Sequence, residues 1–124
     1  MDTKQFLGAY SESRNGCNFF VRHPLVPVFQ YSDGVKDCAE AGMYWLLDII
    51  ATECLKPLRL SGDQQSLVNV AVKNGKCVIA LSIEDDAPPL WKRKVAYTDL
   101  PDGEYIFELV DEGSRFAMIL ITEH

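Results

Sequence analysis

Asp33-Gly34-Val35-Lys36-Asp37-Cys38-Ala39-Glu40-Ala41-Gly42-Met43-Tyr44-Trp45-Leu46-Leu47-Asp48-Ile49-Ile50-Ala51-Thr52-Glu53-Cys54 reads as one long helix that carries the main apolar surface of the chain. At about 100° per residue, Val35, Cys38, Ala39, Gly42, Met43, Ile49, Ile50 and Cys54 fall within roughly 80° of Leu46, with Trp45 and Leu47 on the flanks. The apolar arc spans around 200°, and Asp33, Asp37, Glu40, Tyr44 and Asp48 form the polar stripe opposite it. Glu53 falls inside the arc and Lys36 at its edge; Glu53 fits if the last turn overhangs the core. Ser32 or Asp33 supplies the N-cap, and Lys56-Pro57 is expected to close the helix after Cys54. At 1.5 Å rise, about 22 residues give roughly 33 Å, enough to cross a small sheet. An arc that wide needs a sheet beneath it.

That sheet is legible downstream. After Gln65 the pattern switches to period two: Val68, Val70 and Val72 alternate with more polar positions up to Asn74-Gly75, which predicts a two-residue hairpin turn. Lys73 then faces Lys76, Val72 faces Cys77, and Ile79, Leu81 and Ile83 continue one apolar face. Trp91 to Asp99 predicts a third strand, Glu104 to Val110 a fourth with Tyr105, Phe107 and Leu109 inward, and Arg115 to Thr122 a fifth that is apolar on both faces. The second face of that strand needs cover from the Phe19 to Phe29 arm, the N-terminal helix or another subunit. Pro24 and Pro27 are expected to keep the arm through Tyr31 out of a central strand. Residues 2 to 10 predict a short helix with Phe6, Leu7 and Tyr10 toward the core. The expected fold is α+β: one long helix packed across a four- to five-stranded antiparallel meander, with a short N-terminal helix.

The chain has 124 residues and is 48% hydrophobic, which suits a single domain over residues 1–124 without metal or disulfide staples. No apolar run is long enough for a membrane span, and Met1 to Gln5 carries no secretory signal pattern, so the expected location is the cytoplasm. Cys17, Cys38, Cys54 and Cys77 show no C-x-x-C pairing and read as free, mostly buried thiols; with only His23 and His124 beside them, neither a zinc site nor any other cofactor is expected. Eighteen acidic against twelve basic residues give a net charge of −6, which disfavours direct nucleic-acid binding and favours a partner with a basic surface.

Arg22-His23-Pro24-Leu25, Tyr31-Ser32-Asp33-Gly34-Val35, Ala39-Glu40-Ala41-Gly42-Met43-Tyr44-Trp45-Leu46-Leu47-Asp48-Ile49-Ile50-Ala51 and Tyr97-Thr98-Asp99-Leu100-Pro101 resemble an uncharacterised family of small proteins encoded by phages, plasmids and bacterial genomes. Its pattern runs Arg-His-Pro-Leu, Tyr-Thr-Asp-Gly-Val, Ala-Tyr-Trp-Leu-Leu-Asp and Thr-Asp-Phe-Pro. Ser32, Met43 and Leu100 stand where that pattern has Thr, Ala and Phe. The resemblance implies a setting of mobile genetic elements in the bacterial cytoplasm and no known cofactor. It carries no activity with it.

Three functions compete on the residues. His23 beside Arg22 is the one acid/base candidate, and a small hydrolase would pair it with Cys17 as nucleophile; the plainer reading has Arg22 and His23 fixing the arm by hydrogen bonds. The apolar strand Phe116 to Ile121 would suit a homodimer or larger homo-oligomer. The leading reading is a non-enzymatic protein that acts by protein–protein interaction, an anti-CRISPR or other counter-defence inhibitor occupying a basic nucleic-acid-binding surface. Its expected contacts are Asp99, Asp102, Glu104, Glu108, Asp111 and Glu112, carboxylates that imitate a phosphate backbone, with Tyr44 and Trp91 as anchors.

Overall fold

A computed structural model describes residues 3–11, 19–84 and 86–121. The long helix begins where Ser32 caps it, its hydroxyl accepting from the Val35 N–H at 3.2 Å. It runs through residues 33–61, in which three α-helical stretches, Asp33–Cys38, Tyr44–Ile49 and Leu55–Ser61, are joined by wider π-type turns at Ala39–Met43 and Ile50–Cys54. The first of these holds Gly42 at φ 129°, a conformation that a side chain disfavours, and the helix bends there. The expected stop at Lys56-Pro57 is corrected: the helix continues to Ser61 and ends on Gly62 at φ 81°. Pro57 is tolerated because it stands in the first turn after the wide segment, where a restarted helix leaves N–H groups unpaired in any case.

Beneath the helix lies one sheet of seven strands rather than a meander of four or five. They are β1 (Phe20–Arg22), β2 (Phe29–Ser32), β3 (Gln65–Lys73), β4 (Lys76–Ser82), β5 (Trp91–Val95), β6 (Gly103–Asp111) and β7 (Phe116–Leu120), in the order β1-β2-β7-β6-β3-β4-β5. The hairpin forms in the expected register, Lys73 opposite Lys76 and Val72 opposite Cys77, with Asn74 at φ 53° and Gly75 at φ 76° as its turn demands. The sheet is mixed, because β2 runs parallel to β7, Phe29 beside Phe116 and Tyr31 beside Met118. The prolines did not keep the arm out of an interior strand. Pro24 and Pro27 both precede β2, so Phe29 to Ser32 keep their N–H groups for the ladder. The arm therefore pairs with the edge of β7 instead of lying over its face, and β1 pairs antiparallel outside it.

Cross-strand register sorts the side chains. The inner face carries Phe29, Val68, Val70, Ile79, Leu81, Phe107, Leu109 and Met118, which close over Leu46, Leu47, Ile50, Cys54 and Leu58 of the long helix, all buried. The N-terminal helix, Thr3–Ser11, joins this layer: Phe6 and Tyr10 meet the Tyr105 ring edge-on at 5.1 Å, and the Tyr10 hydroxyl accepts from the Ile106 N–H. Cys38, Cys54 and Cys77 are buried, and burial pushes the Cys54 thiol up to about 12. No helix among the described residues is long and apolar enough to cross a membrane.

Candidate functional site

Arg22 and the acid/base candidate His23 stand at the β1–β2 border of the sheet. His23 directly follows β1, and the chain from Pro24 to Val28 wraps around its imidazole. The ring Nδ1 accepts the backbone N–H groups of Leu25 at 3.2 Å and Val26 at 3.1 Å, while Nε2 lies 2.7 Å from Asp48 Oδ1 on the long helix. Since Nδ1 accepts, the proton is on Nε2, and the Nε2–H donates to the Asp48 carboxylate. His23 is 4% exposed, so both its nitrogens are spent on holding the arm to the helix. This is the hydrogen-bonding role expected of it; Cys17, its partner in the hydrolase reading, lies outside the described residues. Tyr31 lies buried in the same corner, its hydroxyl pushed up by burial, with Tyr44, Asp48 and Glu40 adding to the shift.

The arm beside this corner exposes several apolar side chains. Phe19, Phe20, Leu25 and Val28 are exposed on the arm, Leu25 by 84%, and Tyr44 is exposed on the turn of helix next to Asp48. The Lys36 ammonium stands 5.8 Å from the centre of the Phe19 ring and 3.5 Å from Glu40, and Arg22 is exposed on β1.

The six carboxylates expected to form one acidic ledge are distributed differently. They follow β6, whose nine residues extend about 27 Å. At one end Asp111 takes a two-pronged hydrogen bond from Arg59, 3.1 and 2.9 Å, which holds its carboxyl below the usual carboxylate range, and Glu112 pairs with Arg115 at 3.1 Å. Glu108 is buried on the outer face of the sheet. Asp99, Asp102 and Glu104 remain exposed at the other end, where Asp102 accepts the Asn74 N–H and Glu104 accepts from the Asn69 amide. Trp91 is half-buried on the inner face, well away from Tyr44. Strand Phe116–Leu120 is interior, flanked by β2 and β6.

Sequence reading missed the pairings made across the fold. His23 with Asp48, Arg59 with Asp111 and Glu53 with Arg93 join residues far apart in the chain. Glu53 inside an apolar arc was the one visible signal of such a partner. Among the described residues no group of three or more His, Cys, Asp or Glu is placed to hold a metal ion.

Compared with known families, residues 6–124 match the model of a family described as Family of unknown function (DUF6876), and the chain belongs to it. No curated protein and no solved structure matches it.

Proposed function

We propose that this member of a family without assigned function is a non-enzymatic interaction module that docks a folded protein partner on the β1–β2 arm. One observation carries the reading: Phe19, Phe20, Leu25, Val28 and Tyr44 are exposed around a corner that the His23–Asp48 hydrogen bond holds in place. Large apolar side chains left in water cost solubility, and holding them rigid removes much of the ordering cost of binding. The occupant is a protein offering an apolar groove for Leu25 and Tyr44 and carboxylates for Arg22 at the rim. The resemblance to phage and plasmid proteins supports a meeting in the cytoplasm of a bacterial host.

The test is affinity capture from a bacterial lysate, with the wild type beside a Leu25→Asp/Tyr44→Ala variant. A partner retained by the wild type and lost by the variant, at unchanged melting temperature, is the expected result. Equal retention by both overturns it.

A second reading keeps the counter-defence inhibitor, acting on a CRISPR effector or another nucleic-acid-processing complex through its basic surface. The exposure of Asp99, Asp102 and Glu104 at one end of β6 favours it. Changing these three to Lys would then abolish capture while the arm variant retains it.

A further inference from the structure

Four lysines gather on one face of the sheet, although the chain as a whole carries −6. The register places Lys73 of β3, Lys76 of β4, and Lys92 and Lys94 of β5 all on the outer face of the sheet, opposite the long helix. All four are exposed, and the ion pairs among the described residues engage Lys36, Arg59, Arg93 and Arg115 but none of these four. Lys73 and Lys76 face each other directly across the hairpin, an arrangement that costs stability. Lysines on the edge strand β5 serve to block edge-to-edge pairing. That purpose does not account for Lys73 and Lys76, which stand on interior strands.

Between the lysines the floor is built from small side chains. Ala71 lies beside Val78, which lies beside Lys94; Asn69 lies beside Ala80, which lies beside Lys92. Where Ala replaces a longer residue the sheet surface dips, and two adjoining hollows result. One, of about 550 Å³, is lined by Ala71, Val78, Lys73 and Lys76; the other, of about 260 Å³, by Asn69, Ala80, Ile106 and Lys92. Glu104 stands on their shared rim.

We infer that this outer face is a second docking surface, whose occupant is an acidic polypeptide segment: its carboxylates meet Lys73, Lys76, Lys92 and Lys94, and its small apolar side chains enter the hollows over Ala71 and Ala80. Charge complementarity selects the sign, and the floor selects the class. Single-stranded nucleic acid is held by stacking on aromatic rings, and the floor of Ala71, Val78, Ala80, Asn69 and Ile106 offers none. The backbone N–H groups of β3 and β4 are taken by the ladder, so the donors are separate ammonium groups. Neighbours along β5 are about 7 Å apart, a spacing that suits carboxylates strung along a chain better than one compact anion.

The probe is a fluorescein-labelled peptide of repeating Glu-Ala-Leu, followed by anisotropy at low and at physiological salt. The wild type binds it at low salt and loses it as salt rises. A Lys73→Gln/Lys76→Gln/Lys92→Gln/Lys94→Gln variant, whose melting temperature is unchanged or higher, binds at least about tenfold more weakly. Equal binding by that variant, no binding by the wild type, or tighter binding of a labelled oligothymidylate than of the peptide overturns the assignment. The Leu25→Asp/Tyr44→Ala variant retains the peptide, which separates a failure of this surface from a failure of the arm.

Discussion

The two borders of the sheet are closed by different means. On one side β5, Trp91–Val95, carries Lys92, Arg93 and Lys94 in succession, and Arg93 reaches inward to Glu53 of the long helix. On the other side β1, Phe20–Arg22, carries exposed Phe20 next to exposed Phe19, and is held by His23 reaching inward to Asp48. Each border is thus short and tethered to the same helix. The lysine-rich border repels another strand, whereas the aromatic border leaves apolar rings in water.

That contrast can be broken most forcefully at His23. His23→Ala removes a buried ring and leaves the N–H groups of Leu25 and Val26 without their acceptor, so a loss of about 3 kcal/mol is expected by denaturant unfolding. A loss below about 1 kcal/mol would show that the arm does not depend on this tether. Asp48→Ala removes the partner that is itself largely exposed, and about 1 kcal/mol is expected. Arg93→Ala, at the other border, breaks a half-exposed ion pair and should cost less than about 1 kcal/mol. If the Arg93 variant proves the more damaged of the two borders, the comparison is reversed.

Smaller effects sharpen the picture between the borders. Arg59 holds the Asp111 carboxyl below its ordinary 3.8, so the fold favours the charged form. That contribution is complete above the unfolded value and is lost as pH falls through the lower folded value. Arg59→Gln should therefore flatten the pH dependence of stability below about pH 4, seen by chemical unfolding at a series of acid pH values. In a Cys17→Ser background, a thiol reagent at pH 8 should label nothing until the protein is unfolded, since Cys38, Cys54 and Cys77 are buried and the Cys54 thiol is pushed up to about 12.

The legible parts of this fold are those encoded over short stretches. Helical spacing from Val35 to Cys54, the Asn74-Gly75 turn and the alternation Tyr105, Phe107, Leu109 each declare themselves within one element, and all three stand in the structure. The arm does not declare itself. β1 and β2 have three and four residues, too few for periodicity, and Phe29 finds its parallel neighbour at Phe116, on the far side of most of the chain. The run of the helix past Pro57 depended on a widened turn that no residue pattern announces. For the site, His23 and Asp48 were both visible as residues while their contact was not. The acids near the end of β6 looked like one surface because Arg59, which faces Asp111, belongs to another element.

Asp48 and Glu53 stand on one stretch of the long helix with about 7.5 Å of rise between them, and they anchor opposite borders of a sheet joined by six ladders. A load applied to the arm reaches the far border through this strut as well as strand by strand. The molecule is braced crosswise, so a pull on Leu25 works against the helix and both of its anchors together.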